Sequence, residues 1–211
     1  MNNTVITIID YGYGNLFSIN SAITKLGFNT HITNNFDKII NAKLIILPGV
    51  GSFQQAMEAI KSIKIDLAIK KALSNGSKLL GICLGYQMLF EESEEFGICK
   101  GLGFLQGKVV SLKSLDTTNQ RVPNVGWRPI ILNEKNSFLK KNFNKEMFYF
   151  VHSFVPIAKN IEKVSTFIKF GETNIHSSIH SDNIVGFQYH PEKSGEVGLR
   201  ILRDSIEQLL Q

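Results

Sequence analysis

Three short aliphatic runs in the first half of the chain are separated by segments of helical periodicity. The runs are Val5–Ile9, Leu44–Leu47 and Lys78–Ile82. Each has the length and apolar content of a strand that is buried on both faces of a sheet. After the first run, apolar residues recur at helical spacing over residues 16–26, and Gly27 follows as a helix-ending residue. Because strands that alternate with helices form right-handed crossovers, this half predicts an α/β fold with a mostly parallel sheet.

The remaining segments complete this prediction. Residues 53–73 carry a mixed apolar pattern that suits one long or two short helices. From Leu102 onward the chain becomes β-rich, in short pieces separated by turn-like segments. These pieces are residues 104–112, 147–151, 164–170 and 184–189. Residues 195–210 return to helical spacing. We therefore predict one α/β domain over residues 1–211, with a mostly parallel central sheet flanked by helices and additional antiparallel strands.

Composition argues against several classes of protein. Of the 211 residues, 43% are hydrophobic and 19% are charged, which is ordinary for a globular domain. The apolar runs are far shorter than the roughly 18 residues of a membrane helix, and the first residues carry no basic signal region. The net charge of +5 comes from scattered lysines, which favours a solvated basic surface over a nucleic-acid site. We expect a cytoplasmic protein that binds neither membrane nor nucleic acid.

The sharpest local pattern surrounds one of the two cysteines. Cys83 lies in Gly81-Ile82-Cys83-Leu84-Gly85, after a predicted strand and before a helical pattern at residues 86–91. This has the form of a nucleophile elbow, in which glycines permit a sharp turn and the helix N-terminus favours a thiolate. The plainer alternative is a small buried hydrophobe. Cys99 lies in an unlike context, so we predict no disulfide.

A cysteine nucleophile requires a base. The candidates are His31, His152, His176, His180 and His190. His190 follows a predicted strand at a turn marked by Pro191, with Glu192 placed to orient the imidazole. His176 and His180 have the spacing of a metal pair on a helix, but their surroundings indicate a strand. We therefore predict no metal site, and we interpret His31 and His152 as structural.

Acyl transfer also requires donors for an oxyanion. A loop of Pro48, Gly49, Val50 and Gly51 follows a predicted strand, and the backbone N–H groups that follow Pro48 in this loop could serve. Alone this is a weak motif, and it lacks the Lys-Ser/Thr ending of a phosphate-binding loop. Asp10-Tyr11-Gly12-Tyr13-Gly14 begins like a dinucleotide fingerprint but has no third glycine in place. No nucleotide or other cofactor is predicted.

An ordered set of motifs runs from end to end of the chain. It comprises IIDYGYGNL near the N-terminus, LPGVGSF at 47–53, GICLGYQ at 81–87, PNVGW at 123–127, YFVHSF at 149–154 and GFQYHPEKSG at 186–195. This set resembles the triad-type glutamine amidotransferases, and within them the glutaminase subunits that work in histidine biosynthesis. The resemblance implies hydrolysis of glutamine to glutamate and ammonia.

The resemblance also implies roles for individual residues. Cys83 would be the nucleophile, His190 the base and Glu192 the carboxylate that orients the base. The loop of residues 48–51 would form the oxyanion hole. Contacts to bound glutamine would come from Gly85, Gln87 and Ser153, alongside the backbone of Gly49 and Gly51.

The family resemblance further implies a partner, a synthase (cyclase) subunit that forms a heterodimer with this chain and accepts its ammonia. The partner-facing residues would be Pro123, Asn124, Trp127 and Lys193. The chain departs from the family pattern at four positions. Asn124, Val125 and Arg128 replace histidine, methionine and asparagine, and Phe154 replaces tyrosine.

Three alternatives remain beside the histidine-pathway glutaminase. One is a paralogous glutaminase that supplies a sugar amidotransferase in surface polysaccharide synthesis, and the departures at Asn124, Val125 and Arg128 keep it open. Another is a non-catalytic scaffold subunit, although the complete set of Cys83, His190 and Glu192 argues against it. A peptidase or γ-glutamyl hydrolase could use the same three residues.

Overall fold

A computed structural model describes residues 4–115, 118–136 and 138–211. Its strands, in chain order, are β1 (Val5–Ile9), β2 (Asn29–Thr33), β3 (Leu44–Leu47), β4 (Lys78–Ile82), β5 (Phe90–Ser93), β6 (Cys99–Lys100), β7 (Leu105–Ser111), β8 (Asn124–Pro129), β9 (Ile131–Leu132), β10 (Met147–His152), β11 (Phe154–Ala158), β12 (Val164–Phe170), β13 (Thr173–Ser181) and β14 (Ile184–Phe187). The helices are α1 (Leu16–Lys25), α2 (Phe36–Ile40), α3 (Phe53–Ser62), α4 (Ile65–Ser74), α5 (Leu84–Met88), α6 (Leu112–Leu115) and α7 (Gly195–Leu209).

The central sheet has eight strands in the order β2-β1-β3-β4-β14-β13-β12-β9. The five strands from β2 to β14 run parallel, and β13, β12 and β9 are added antiparallel. A four-stranded sheet, β11-β7-β5-β6, and the β8–β10 pair complete the strand pairing. The predicted fold class is confirmed: a mostly parallel sheet with antiparallel additions.

Helices cover both faces of the central sheet, and β3 shows how the sequence specifies this. Leu44 and Ile46 contact the cluster that contains α1 and α7, whereas Ile45 and Leu47 contact the cluster that contains α3 and α4. All four side chains are fully buried. Since each such side chain contributes about 1.5–3 kcal/mol on burial, an aliphatic run without polar alternation is stable only between two helical layers.

The structure resolves or revises several predicted boundaries. Residues 53–73 form two helices, which are separated at Lys64 by a left-handed backbone conformation (φ 58°). The helix predicted at residues 86–91 is wrong in its bounds. Helix α5 ends at Met88 because the carbonyls of Met88 and Glu91 accept hydrogen bonds from the N–H groups of Leu102 and Gly101. Residues beyond it therefore pair as β5 instead of continuing the helix.

The two cysteines are free thiols, as the sequence predicts. Cys83 is buried and Cys99 is partly exposed. In the described ranges, no helix has both the length and the apolar character needed to cross a membrane.

Candidate active site

Cys83 occupies a strained junction between β4 and α5. Its backbone has φ 55° and ψ −110°, a conformation that L-residues rarely adopt and that costs about 1–3 kcal/mol. The backbone N–H of Cys83 donates to Phe187 O at 2.7 Å, which anchors the junction to β14. Gly81 and Gly85 lie on either side, and a Cβ on Gly81 would lie 2.9 Å from Tyr86 Cα. A side chain at Gly85 would collide with Leu47 O. The turn thus requires its glycines.

His190 and Glu192 form a buried pair beside this junction. His190 Nδ1 lies 2.7 Å from Glu192 Oε1, and the side chains are 2% and 1% exposed. The turn that carries them is held by Ser194, whose Oγ donates to His190 O at 2.6 Å and accepts from Tyr149 N at 3.0 Å. The carboxylate is therefore presented to the imidazole by a fixed backbone.

The protonation of His190 follows from its neighbours. Burial disfavours the imidazolium, but the thiolate charge and a hydrogen bond from Cys83, together with Glu192, raise the pKa of His190 to about 10. His190 Nε2 has no partner within strict hydrogen-bond geometry among the described residues. Cys83 is nonetheless close enough to raise the pKa of the His190 imidazole. His190 is therefore protonated at pH 7 and can act as a proton donor.

Cys83 and His190 line one cavity of about 350 Å³. Its other predicted site residues are Val50, Gly51, Gln87, Ser153 and Pro123. Leu84, Glu95, Val151, His152 and Phe154 also line it. Glu192 lies behind His190. Among the described residues, Pro48, Gly49 and Gly85 form no part of the cavity wall, and neither do Asn124, Trp127 and Lys193.

The loop of residues 48–51 is held against the start of α5. Pro48 O accepts a hydrogen bond from Tyr11 Oη at 2.8 Å. A Cβ on Gly49 would lie 2.7 Å from Gly85 N, so glycine at both positions allows the loop and the helix N-terminus to meet. Gly51 has φ 95°, which favours glycine strongly. Pro48, Gly49 and Gly85 thus shape the cavity from behind its wall.

The carboxamide of Gln87 is fixed from two directions. Its Nε2 donates to Phe154 O at 2.9 Å and to Gln188 Oε1 at 3.0 Å. Gln188 is fully buried, and its Nε2 lies 4.0 Å from Cys83 Sγ. Gln87 therefore belongs to the cavity wall, and Gln188 supports it from a buried position beside the thiol.

A second hydrogen-bond chain reaches the same carbonyl from β8. Arg128 Nε donates to Asn124 Oδ1 at 2.9 Å, and Asn124 Nδ2 lies 2.9 Å from His152 Nε2. Burial lowers the pKa of His152 to about 4, so this imidazole is neutral at pH 7. Since Phe154 O can only accept, His152 Nδ1 carries the hydrogen and donates to that oxygen at 2.9 Å, while Nε2 accepts from Asn124.

Two departures from the family pattern, Asn124 and Arg128, are thus bonded to each other and act on the cavity through His152. Trp127 and Val125, on the same strand, are about half exposed, and the Trp127 ring packs edge-on against Tyr149. Lys193 is exposed beside buried Glu192. The exposure of Val125, Trp127 and Lys193 is compatible with a partner-facing surface, whereas Asn124, predicted to face the partner, is 1% exposed.

Glu95 and His152 line the cavity, although the sequence did not single out Glu95 and His152 was interpreted as structural. Gln188, also not singled out, is fully buried beside Cys83. Glu95 lines the wall and accepts from the Phe53 N–H at 2.7 Å, but in the sequence it is one of four glutamates within residues 91–95. Gln188 carried one available signal, since it lies two residues before His190. By contrast, His176 and His180 lie on strand β13, as predicted. Within the described ranges, no group of three His, Cys, Asp or Glu side chains could hold a metal ion.

Comparisons with known proteins show the family of this chain. Residues 7–209 match the family described as "Glutamine amidotransferase class-I". A relative named imidazole glycerol phosphate synthase subunit HisH, from Geobacillus sp. (strain WCH70), is 38% identical over 202 residues, with 95% of each chain covered. A subunit named HisH 2, from Methanococcus maripaludis, is 39% identical over 97% of this chain and 100% of that protein. In Arabidopsis thaliana, imidazole glycerol phosphate synthase hisHF is 40% identical over 95% of this chain, which spans 34% of that protein.

Solved structures show the same fold at low sequence identity. PurLQS from Thermotoga maritima superposes with a TM-score of 0.75 at 21% identity, over 98% of this chain and 99% of that one. A structure described as a glutamine amidotransferase gives 0.69 at 17% identity, over 97% and 98%. With the match over residues 7–209 and the identity of 38% to a full-length relative, this chain belongs to the class-I glutamine amidotransferase family.

Proposed function

We propose that this chain is a glutaminase subunit that hydrolyses glutamine and passes the ammonia to the cyclase subunit of an imidazole glycerol phosphate synthase in histidine biosynthesis. One observation carries the proposal. The thiol of Cys83, on a strained elbow, shares a cavity with His190, whose far nitrogen is bound by Glu192 at 2.7 Å. The names of the full-length relatives support the choice of synthase.

In the first chemical step, the thiolate of Cys83 attacks the side-chain amide carbon of glutamine and forms a tetrahedral oxyanion. The imidazolium of His190 then protonates the amide nitrogen. The C–N bond breaks, ammonia departs, and the glutamyl group remains bound to the sulfur as a thioester. His190, now neutral, removes a proton from water, which hydrolyses the thioester to glutamate. Glu192 keeps the imidazole oriented and supports its positive charge without taking the proton.

The oxyanion is assigned to the loop of residues 48–51, in which Gly49, Val50 and Gly51 carry backbone N–H groups and Pro48 carries none. One such donor typically contributes about 3 kcal/mol to the transition state, so the orientation of this loop controls the rate. Gly49 and Gly51 allow a peptide to reorient at little steric cost. A partner that docks near the cavity mouth can therefore switch the site.

Substrate recognition is assigned to polar groups of the cavity wall. Gln87 Oε1 and the hydroxyl of Ser153 suit the amide and α-amino acid ends of glutamine, with backbone of Gly85 nearby. The carboxylate of Glu95, unforeseen from the sequence, suits the α-ammonium group. A cavity of about 350 Å³ accommodates one amino acid.

The proposed partner is a cyclase subunit in a heterodimer, which docks on the face that carries Pro123, Asn124, Trp127 and Lys193. Half-exposed Trp127 offers an aromatic anchor, and Lys193 offers a charge for an acidic group of the partner. Arg128 and Asn124 favour the second candidate, a glutaminase with a different ammonia acceptor. Both departures lie on the less exposed side of β8, opposite Trp127, and their contacts lead to His152 in the cavity.

The decisive experiment isolates the native complex through a tag on this chain and identifies the co-purifying synthase by mass spectrometry. Recovery of a cyclase supports the histidine pathway, and recovery of a sugar amidotransferase supports the second candidate. The purified complex is then assayed for glutamate release and for product formation with glutamine or with ammonium salts. In Cys83→Ala, glutamate release should be abolished while ammonium-dependent synthesis persists. A folded complex that loses both activities would contradict this division of labour.

A further inference from the structure

Gln188 is a fully buried polar residue to which the proposed reaction gives no role. It follows β14, and its backbone N–H donates to Ser177 O at 2.9 Å. Its side chain lies between Gln87 and Cys83. Oε1 accepts from Gln87 Nε2 at 3.0 Å, and Nε2 lies 4.0 Å from the sulfur, at the outer limit of a hydrogen bond to sulfur. The carboxamide therefore connects a substrate-binding amide to the nucleophile.

We infer that Gln188 is a positioning residue, which orients the Gln87 carboxamide toward glutamine and holds an N–H donor beside the thiolate of Cys83. The inference rests on the proposed function for its substrate. A thiolate accepts hydrogen bonds and repels a carbonyl oxygen, so the Nε2 end of Gln188 faces sulfur. Its Oε1 end then faces Gln87, which must donate a hydrogen bond from its NH₂ group.

The orientation of Gln87 follows from two acceptors together. Gln188 Oε1 and Phe154 O take both hydrogens of Gln87 Nε2. Gln87 Oε1 accepts no hydrogen bond from the described residues, and Gln87 lines the cavity. That oxygen is therefore the atom left for an N–H group of the ligand. If the Gln188 carboxamide were rotated by 180°, its NH₂ group would face the NH₂ group of Gln87. Its oxygen would then face the thiolate of Cys83.

Two titratable groups interact electrostatically with Cys83. They are His190, on the turn after β14, and Tyr11, in the loop after β1. Burial and the thiolate charge raise the pKa of Tyr11, so this phenol remains neutral. Gln188 adds an uncharged donor to this set. Its removal should alter thiolate formation without changing the charge of the site.

Two substitutions separate the two roles of Gln188. Gln188→Met keeps the side-chain volume but removes donor and acceptor, whereas Gln188→Glu keeps an acceptor for Gln87 and sets a carboxylate beside the sulfur. Both are made in a Cys99→Ser background, so that iodoacetamide reports on Cys83 alone. The measurements are the pH midpoint of alkylation and the KM for glutamine in the complex with the synthase.

For Gln188→Met, we expect the alkylation midpoint to rise by about 0.5–1 pH unit, since the thiolate loses a donor. KM should rise about five- to tenfold with the loss of one hydrogen bond that orients Gln87. For Gln188→Glu, the midpoint should rise further because of the added charge, while KM should rise less than in Gln188→Met. Opposite rankings of the two variants in the two measurements are the signature of positioning.

Thr166→Val is the matched control, because Thr166 is buried and its hydroxyl contacts Ser177 and Ser178 outside the cavity. It should lower the melting temperature but leave midpoint and KM unchanged. A folded Gln188→Met with an unchanged midpoint or an unchanged KM would overturn the inference. If Gln188→Met does not fold, an unchanged alkylation midpoint in Gln188→Glu would overturn the inference instead. Alkylation requires no turnover, so absence of glutaminase activity in the unsubstituted complex would reject the proposed function separately.

Discussion

His190 Nδ1 and Glu192 Oε1 lie 2.7 Å apart in a pocket where both side chains are almost completely buried. The pair faces Cys83 through the other imidazole nitrogen, so the carboxylate and the thiolate act on opposite ends of one ring. Both raise the pKa of His190, against the effect of burial, to about 10. At neutral pH, His190 therefore carries the proton that the leaving ammonia needs.

Glu192→Gln should shift the alkaline limb of the pH profile. The imidazolium of His190 is the required form, and it is lost as pH rises through its pKa of about 10. Without the carboxylate, this pKa falls, so the decline of kcat/KM at high pH should begin about one unit lower. The variant should also lose less activity at pH 7 than His190→Ala. Equal and complete losses in two folded proteins would show that the roles of Glu192 and His190 are misassigned.

A glutamine-like electrophile should label Cys83 before Cys99. Cys83 sits at the start of α5 within the cavity, whereas burial raises the pKa of the Cys99 thiol and keeps it protonated. Peptide mapping after partial labelling measures the ratio, and Cys83→Ala provides the blank. Preferential modification of Cys99 would count against the elbow as the reactive site.

Gly51→Ala should impair activation of glutaminase turnover by the partner. The loss should be larger than the lower stability of the variant explains. Gly51 and Gly12 have similar φ values of 95° and 87°, and a Cβ at either would meet no atom closer than 3.8 Å. Each alanine variant should therefore lose about 1 kcal/mol of stability from backbone strain alone. Only Gly51→Ala alters the oxyanion loop. Urea unfolding and partner-stimulated glutaminase assays compare the two, and equal activation in both variants would exclude the loop as the switch.

The isolated chain should hydrolyse glutamine slowly. Ammonia released into water is mostly protonated and no longer available to the acceptor reaction, so we expect the site to be inactive until the partner docks. Docking of a synthase occupied by acceptor ligand should raise kcat by at least about 100-fold, or roughly 2.7 kcal/mol. Lys193→Ala should weaken this activation and leave basal turnover largely intact, since Lys193 is exposed beside the buried Glu192. Full activity of the free subunit in steady-state assays would reject gating by the partner.

Local sequence was sufficient for the parallel half of the fold. The aliphatic runs β1, β3 and β4 were predicted with their bounds because a strand buried on both faces needs uninterrupted apolar residues. Strands β2 and β8 were missed, since both carry polar or exposed residues on at least one face and show no such run. The helix predicted at residues 86–91 was wrong in its bounds because distant N–H groups, from Gly101 and Leu102, capture carbonyls near its end.

By itself the sequence determined which residues could react. An elbow with glycines around Cys83 and a His-x-Glu turn are short-range patterns, and their chemistry follows from neighbouring residues. Only the tertiary structure decided what surrounds them. Gln188 lies 105 positions from Cys83, and His152 reaches Asn124 across 28 positions, through strand pairings that no local pattern encodes. These side chains became part of the site because sheet register and burial brought their polar atoms into contact around it, where little water competes for their hydrogen bonds.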